Sequence, residues 1–300
     1  MEEDFDAQKS LREVHLSTLS GQSSIYCSSL IPTNGLRRGP ERFLVSSLEK
    51  NLRIYTAASN SVEYQEKMYA YLPQGCEVIS MDLFCDGSTL VTGITWSASN
   101  NESPAYFFNS YESNMDYESL TCTSSVELFD WVPFQITHCT FGSSVCFIVS
   151  GSDGFIHLFK KDLASGAYLE YRDLITELPE FTQNLDSIAL WVAFQYLEST
   201  RITAIAQECG TLIVYIVDTD SVSVVQKHTL QLEGPLTKVC FLRNSTDLVV
   251  ISSLVPSRVF YNTVEHGLKK SALLPFSDEF DVPTCCTTAD IVSCYHYLIS

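Results

Sequence analysis

Five stretches of this chain open alike, each with a short strand-forming run, and they recur at a nearly constant interval. They begin at Glu77, Gln135, Ser187, Leu236 and Pro283, which is 58, 52, 49 and 47 residues apart. The clearest unit surrounds Val145–Asp162, VCFIVSGSDGFIHLFKKD. There an apolar run, Val145–Val149, meets a cluster of turn formers, Ser150–Gly154, and a second β-rich run follows. Asp153-Gly154 suits a tight hairpin because glycine tolerates positive φ. An opening strand, a hairpin and an outer strand in about 50 residues is the period of a β-propeller blade. Solenoid repeats are shorter or helical, and a sandwich has no period of this length. The predicted fold class is therefore all-β, a β-propeller, although no Trp-Asp dipeptide of the WD40 kind closes the units.

Read in order, residues 1–19 form an acidic, disordered lead-in, and the blades are expected over residues 20–283. Ser23–Ile31 reads as a first strand and Arg42–Ala58 as a strand, polar turn and strand. Glu77–Phe84 is followed by Thr89–Trp96 and Pro104–Asn109, which pair around a polar loop. Met115–Glu127 is polar and Ser/Thr-rich, with one weak helical turn expected. In Arg172–Asn184 the spacing of Leu174, Leu178 and Phe181 suits a short helix or a loop insertion. Ile202–Asp218 is a hairpin turning at Cys209-Gly210, with Val222–Leu230 running outward. Leu236–Leu242 opens the next unit, and Thr246–Tyr261 is a hairpin whose turn holds Pro256. Residues 284–300 are a divergent tail. This gives about five to six blades, the last one incomplete.

Composition narrows the partners. With 36 acidic and 18 basic residues the formal net charge is −18, which opposes binding to nucleic acid or anionic lipid. The basic pairs Arg37-Arg38, Lys160-Lys161 and Lys269-Lys270 are never extended into longer runs. The start, MEEDFDAQKS, is unlike a basic, apolar signal peptide, and no apolar run reaches the ~18 residues of a membrane span. Eleven cysteines, an odd number scattered through strand-like segments, fit reduced, buried thiols of a cytoplasmic protein.

Chemical motifs are sparse. No GxSxG, Walker A, GxGxxG, HExxH or CxxC spacing occurs. His138 and Cys139 are strand neighbours that point to opposite faces, so they make no Cys/His dyad. Cys285, Cys286, Cys294 and His296 fit no usual zinc spacing. Asp218 with Asp220, and Asp278 with Glu279 and Asp281, lack the glycine and the distal glutamate of a calcium loop. The sequence thus assigns no catalytic, cofactor-binding or metal-binding residues and no cofactor.

Several segments together resemble the kaptin family. They are Gly75–Phe84 (GCEVISMDLF), Leu90–Trp96 (LVTGITW), Pro133–Cys139 (PFQITHC) and Val149–Lys161 (VSGSDGFIHLFKK). Leu178–Val192, Gly234–Val239 and Leu273–Asp281 continue the likeness, which runs in order from about Ser20 to Asp281. The resemblance implies a propeller of about seven blades without catalytic activity. It further implies a scaffold subunit of the KICSTOR complex, peripheral on lysosomes through its partners. That complex recruits the Rag GTPase-activating complex and restrains TOR complex 1 when amino acids or glucose are scarce. The alternative that the family offers is association with actin filaments at the cell's leading edge. After Asp281 the sequence departs from the family pattern, so the expectation is either a C-terminally truncated form whose ring does not close or a ring that a partner completes. No short functional motif of the family transfers residue by residue.

Overall fold

The computed structural model describes residues 25–31, 42–47, 51–57, 64–72, 75–99, 104–114, 120–141, 144–171, 178–181, 185–242, 244–274, 286–288 and 297–299. They divide between two compact units, His15–Arg172 and a second unit whose described part follows Asp173.

The first unit holds three antiparallel four-stranded sheets, each a simple meander. Sheet one is β1 (Ile25–Leu30), β2 (Arg42–Ser47), β3 (Asn51–Ala57) and β4 (Tyr64–Tyr71). Sheet two is β5 (Cys76–Asp86), β6 (Thr89–Ser99), β7 (Pro104–Asn114) and β8 (Leu120–Leu128). Sheet three is β9 (Pro133–Phe141), β10 (Ser144–Gly151), β11 (Ile156–Lys161) and β12 (Tyr168–Tyr171). The first strand of each sheet packs against the first strand of the next, β1 on β5 and β5 on β9. Four-stranded meanders stacked through their first strands are propeller blades.

The second unit contributes two more blades and a fragment. One blade is β13 (Ala189–Leu197), β14 (Thr200–Gln207), β15 (Thr211–Asp218) and β16 (Ser223–Gln231). The next is β17 (Leu236–Phe241), β18 (Leu248–Ser252), β19 (Arg258–Phe260) and β20 (Ser271–Leu273), with a one-turn helix, α1 (Thr263–His266), before β20. The first strands again meet, β13 against β17. Finally β21 (Cys286–Thr288) pairs with β22 (Tyr297–Ile299). Five full blades and one strand pair among the described residues agree with the expected all-β propeller of five to six units.

Blade stacking explains why strands read as continuous apolar runs rather than alternating ones. Cys146–Val149 on β10 and Leu212–Val217 on β15 are buried throughout, because both faces of a middle strand are covered. Between the second and third blades Phe84, Phe108, Phe147, Val149 and Phe159 share one core. Phe108 and Phe159 stack there with centroids 4.3 Å apart, an arrangement worth about 0.5–1.5 kcal/mol beyond burial alone. Gly93 on β6 lies under this contact. A Cβ there would come within 2.7 Å of Ile136 Cδ1 and 2.8 Å of Phe147, so only glycine lets the third blade approach so closely. Ile202, Val214, Val239, Leu248 and Phe260 form the matching core of the second unit.

The Asp153-Gly154 hairpin forms as predicted, with Ser150 opposite Ile156, Gly154 at φ 81° and its N–H bonded to the Gly151 carbonyl. Cys209-Gly210 likewise turns β14 into β15, with Gly210 at φ 87°. One expectation needs correction. Leu120–Leu128 is strand β8, where a weak helical turn was expected within Met115–Glu127. Its Ser/Thr-rich, half-exposed sequence is that of an outermost strand, which has little apolar surface to bury. Within Arg172–Asn184 the described residues form a 3-10 turn, Pro179–Phe181, with Leu178 and Phe181 buried. The remainder of that segment, the predicted lead-in 1–19 and most of the tail 284–300 lie outside the described residues.

Candidate functional site

The polar side chains that penetrate the blades concentrate at the seams between them. On β5, Ser80 and Asp82 are two residues apart and so share a face. Ser80 Oγ accepts the Ile136 N–H at 3.1 Å, and Asp82 Oδ2 accepts the His138 N–H. Two hydroxyl and carboxylate oxygens thus serve the backbone donors that β9 turns toward the preceding blade. Asp82 Oδ2 also lies 2.7 Å from His138 Nδ1. Burial of the ring works against the imidazolium, but the Asp82 charge and hydrogen bond outweigh it and hold His138 above the ordinary histidine value.

The same seam is fastened farther out. Lys161 Nζ donates to Glu112 Oε1 at 2.6 Å, and the Tyr168 N–H donates to Ser124 Oγ at 2.6 Å. Tyr168 is almost wholly buried, and burial, then the Glu112 and Asp86 charges, push its hydroxyl well above the usual tyrosine range. At one end of the third blade, His157 stacks on Trp131 with centroids 3.8 Å apart and planes 5° from parallel. Its Nε2 lies 3.0 Å from Asp153 Oδ2 and its Nδ1 2.9 Å from Glu170 Oε1, which ties the hairpin turn to β12.

In the second unit, Glu180 of the 3-10 turn is buried against β14. Arg201 donates from Nε to Glu180 Oε1 at 2.9 Å and from Nη2 to Oε2 at 2.8 Å, while the Thr203 hydroxyl donates to Oε1 at 2.9 Å. Between the two blades of this unit, Lys238 on β17 sits 4.4 Å over the Trp191 ring of β13.

The residues weighed in the sequence fall as follows. Cys139 turns away from His138 and faces Cys146 across the strand pair, Sγ to Sγ 3.2 Å, with both thiols fully buried. Asp218 Oδ1 accepts the N–H groups of Ser221 at 2.8 Å and Asp220 at 2.9 Å, and the Ser221 bonds hold its carboxyl below the usual range. It is the last residue of β15 and accepts from the turn that leads into β16. Among the described residues no group of three or more His, Cys, Asp and Glu could hold a metal ion. The side chains of Cys285, Cys286, Cys294 and His296, and the Asp278–Asp281 cluster, lie outside the described residues. Of the basic pairs, Lys160-Lys161 is partly engaged, and Arg37-Arg38 is not described. Ser80, Asp82, Glu180 and Arg201 had no local motif to mark them. One signal was available for two of them: Ser80 and Ile136, like Asp82 and His138, are 56 residues apart, one repeat length.

Chemically, these groups satisfy backbone donors and neutralise one another between blades. Among the described residues, the outward surface includes strand edge, hairpin turns and individual exposed apolar side chains such as Phe129, Phe155, Leu163, Val225 and Leu254.

Mouse KICSTOR complex protein kaptin is 29% identical over 256 residues, covering 76% of this chain and 59% of that protein; the chain thus spans somewhat over half the length of that relative. Among solved structures, Saccharomyces cerevisiae Sqt1 is similar at TM-score 0.49 and 12% identity, over 84% of this chain and 75% of that one. BBS1N, solved in complex with ARL6DN, is similar at TM-score 0.47 and 14% identity, over 96% of this chain and 94% of that one. The family described as KICSTOR complex protein kaptin matches residues 11–247 and 242–294, nearly the whole chain, and to that family this chain belongs.

Proposed function

We propose that this chain is a non-catalytic scaffold subunit of a KICSTOR-type complex, peripheral on the lysosome through its partners. In that role it helps recruit the Rag GTPase-activating complex and so restrains TOR complex 1 when amino acids or glucose run short. The observation that carries this reading is the family match over residues 11–247 and 242–294. The structure supports it in kind, because the described polar clusters are engaged in joining blades, in tying one blade's own strands and in anchoring a turn. Affinity purification from cells followed by mass spectrometry tests it. Recovery of the other KICSTOR subunits and of the Rag GTPase-activating complex is expected, and recovery of none overturns it. Lysosomal enrichment that disappears when those subunits are depleted would separate recruitment through partners from direct membrane attachment.

A second reading, association with actin filaments, requires a cationic face against an acidic polymer. Lys160 and Lys161 are consecutive cations on β11, Lys160 lying 5.4 Å over the Tyr171 ring and Lys161 beside Glu112. Co-sedimentation at physiological salt decides it, and absence of pelleting above background removes it.

A further inference from the structure

The outer strands of the described blades differ in what they offer a partner. β12 has four residues and β20 three, too short to template another strand. β8 is as long as β16, but Tyr168 of β12 caps its Ser124 hydroxyl and Leu128 is buried. β4 has eight residues whose side chains lie outside the described ones, so among the outer strands with described side chains β16 is the exception. It runs nine residues, ends its sheet, and has no described strand on its outer side.

Sheet edges are normally protected by proline, by charged side chains or by bulges. From Gln226 to Gln231, β16 keeps unbroken register with β15 from Ile216 to Thr211, and it contains no proline. Its one Lys or Arg, Lys227, leans over the Tyr215 ring 5.3 Å from the centroid. A bulge does occur, but only at the start: Ile216 faces Gln226 and Val217 faces Val224, so Val225 is the extra residue. It sits in an exposed apolar knuckle, with Val222, Val224 and Val225 at 41%, 37% and 59% exposure.

Carboxylates bound this edge. Asp220 is exposed in the turn that enters β16, and Glu198 in the adjoining turn, which Thr219 ties to it by donating its N–H to the Ser199 carbonyl at 2.8 Å. Glu233 is exposed just past the other end. A row of backbone donors and acceptors is satisfied by another extended backbone and by no other element, and fixed carboxylates select cations. We propose that β16 is a docking edge that takes up an extended segment of a partner protein as a fifth strand, the segment being apolar or β-branched and flanked by Lys or Arg. That the partner belongs to the same assembly rests on the scaffold reading above.

A fluorescent synthetic peptide of alternating valine and threonine with paired lysines at each end is the probe, measured by anisotropy against the purified chain. Its counterpart carries paired glutamates at the ends. The lysine-ended peptide is expected to bind at least about tenfold more tightly than its counterpart, and more weakly as salt rises. Val225→Lys places a protecting charge on the edge and should weaken binding about tenfold. Asp220→Lys combined with Glu233→Lys alters two exposed side chains and should reverse the preference between peptides, with unchanged circular dichroism. No binding of the lysine-ended peptide, or equal binding by both peptides and all variants, overturns the docking edge. In cells, wild-type chain that recovers KICSTOR subunits beside Val225→Lys that loses one supports it. Equal recovery overturns it and leaves the scaffold reading standing. Wild-type chain that recovers none overturns the scaffold reading, and the peptide measurement alone then decides the edge.

Discussion

Arg201 grips Glu180 through two parallel hydrogen bonds, Nε to Oε1 at 2.9 Å and Nη2 to Oε2 at 2.8 Å, with both side chains almost fully buried. Twenty-one residues separate the partners. The fork matches the carboxylate in plane and angle, and Thr203 fills a further lone pair. This pair anchors the 3-10 turn to the middle of the fourth blade.

Removing either partner strands a buried charge, which costs about 3–5 kcal/mol. Glu180→Leu and Arg201→Met should each lower the urea midpoint markedly. The double variant, which buries no charge, should recover most of the loss. Additive losses in the double variant would show that the two groups do not act as a pair.

Gly93 should tolerate no side chain. Gly93→Ala forces Ile136 or Phe147 to move, and overpacking of this kind costs about 1–3 kcal/mol. Adding Ile136→Val, which deletes the methyl group nearest the new Cβ, should return part of that stability. Thermal unfolding of the single and double variants checks both statements.

The Asp82–His138 pair makes stability depend on pH. The folded chain holds the His138 proton more tightly than the unfolded chain, whose histidine titrates at its ordinary value of 6.5. The pair's contribution is therefore complete below that value and is lost as pH rises through the elevated folded value. The melting temperature of His138→Gln should fall less than that of the parent between pH 6 and 8. Parallel profiles would remove the effect.

Thiol reactivity should rank by exposure and ionisation. Burial raises the Cys209 thiol, but hydrogen bonds from the Thr211 and Ser187 hydroxyls and from backbone N–H groups outweigh it, so its value lies below normal. Cys122 is also exposed, and burial of its sulfur keeps its value raised. Cys139 and Cys146 are sealed in the core. In a timed alkylation followed by peptide mapping, Cys209 should react before Cys122, and Cys139 and Cys146 only after unfolding. Early labelling of Cys146 would contradict the packing of the third blade.

Much of the fold could be read ahead of the structure because turns and inner strands announce themselves locally. Asp153-Gly154 needs φ values that glycine supplies, and Cys146–Val149 must be apolar on both faces, so both signals are written in consecutive residues. Leu120–Leu128 was missed for the opposite reason: an outermost strand exchanges apolar burial for solvent, and its Ser and Thr read as loop. These polar residues were hidden because their partners lie far along the chain. Asp82 resembles any strand aspartate until β9 is laid beside β5, and Glu180 resembles a surface glutamate until its turn docks. The valine edge of β16 was visible as sequence, but that no described strand pairs with its outer side is a fact of topology.

The seam between β5 and β9 works as a parity check on the chain. Because Ser80 and Asp82 must both point at the same neighbour, the turns between blades can lengthen freely, provided that the strands keep their phase. A single residue added between Ser80 and Asp82 would carry one of the two oxygens to the wrong side and leave the Ile136 or the His138 amide unserved. Drift is thus absorbed before this step, where β5 already bulges between Val78 and Ser80, and refused between the two residues that serve the neighbouring blade.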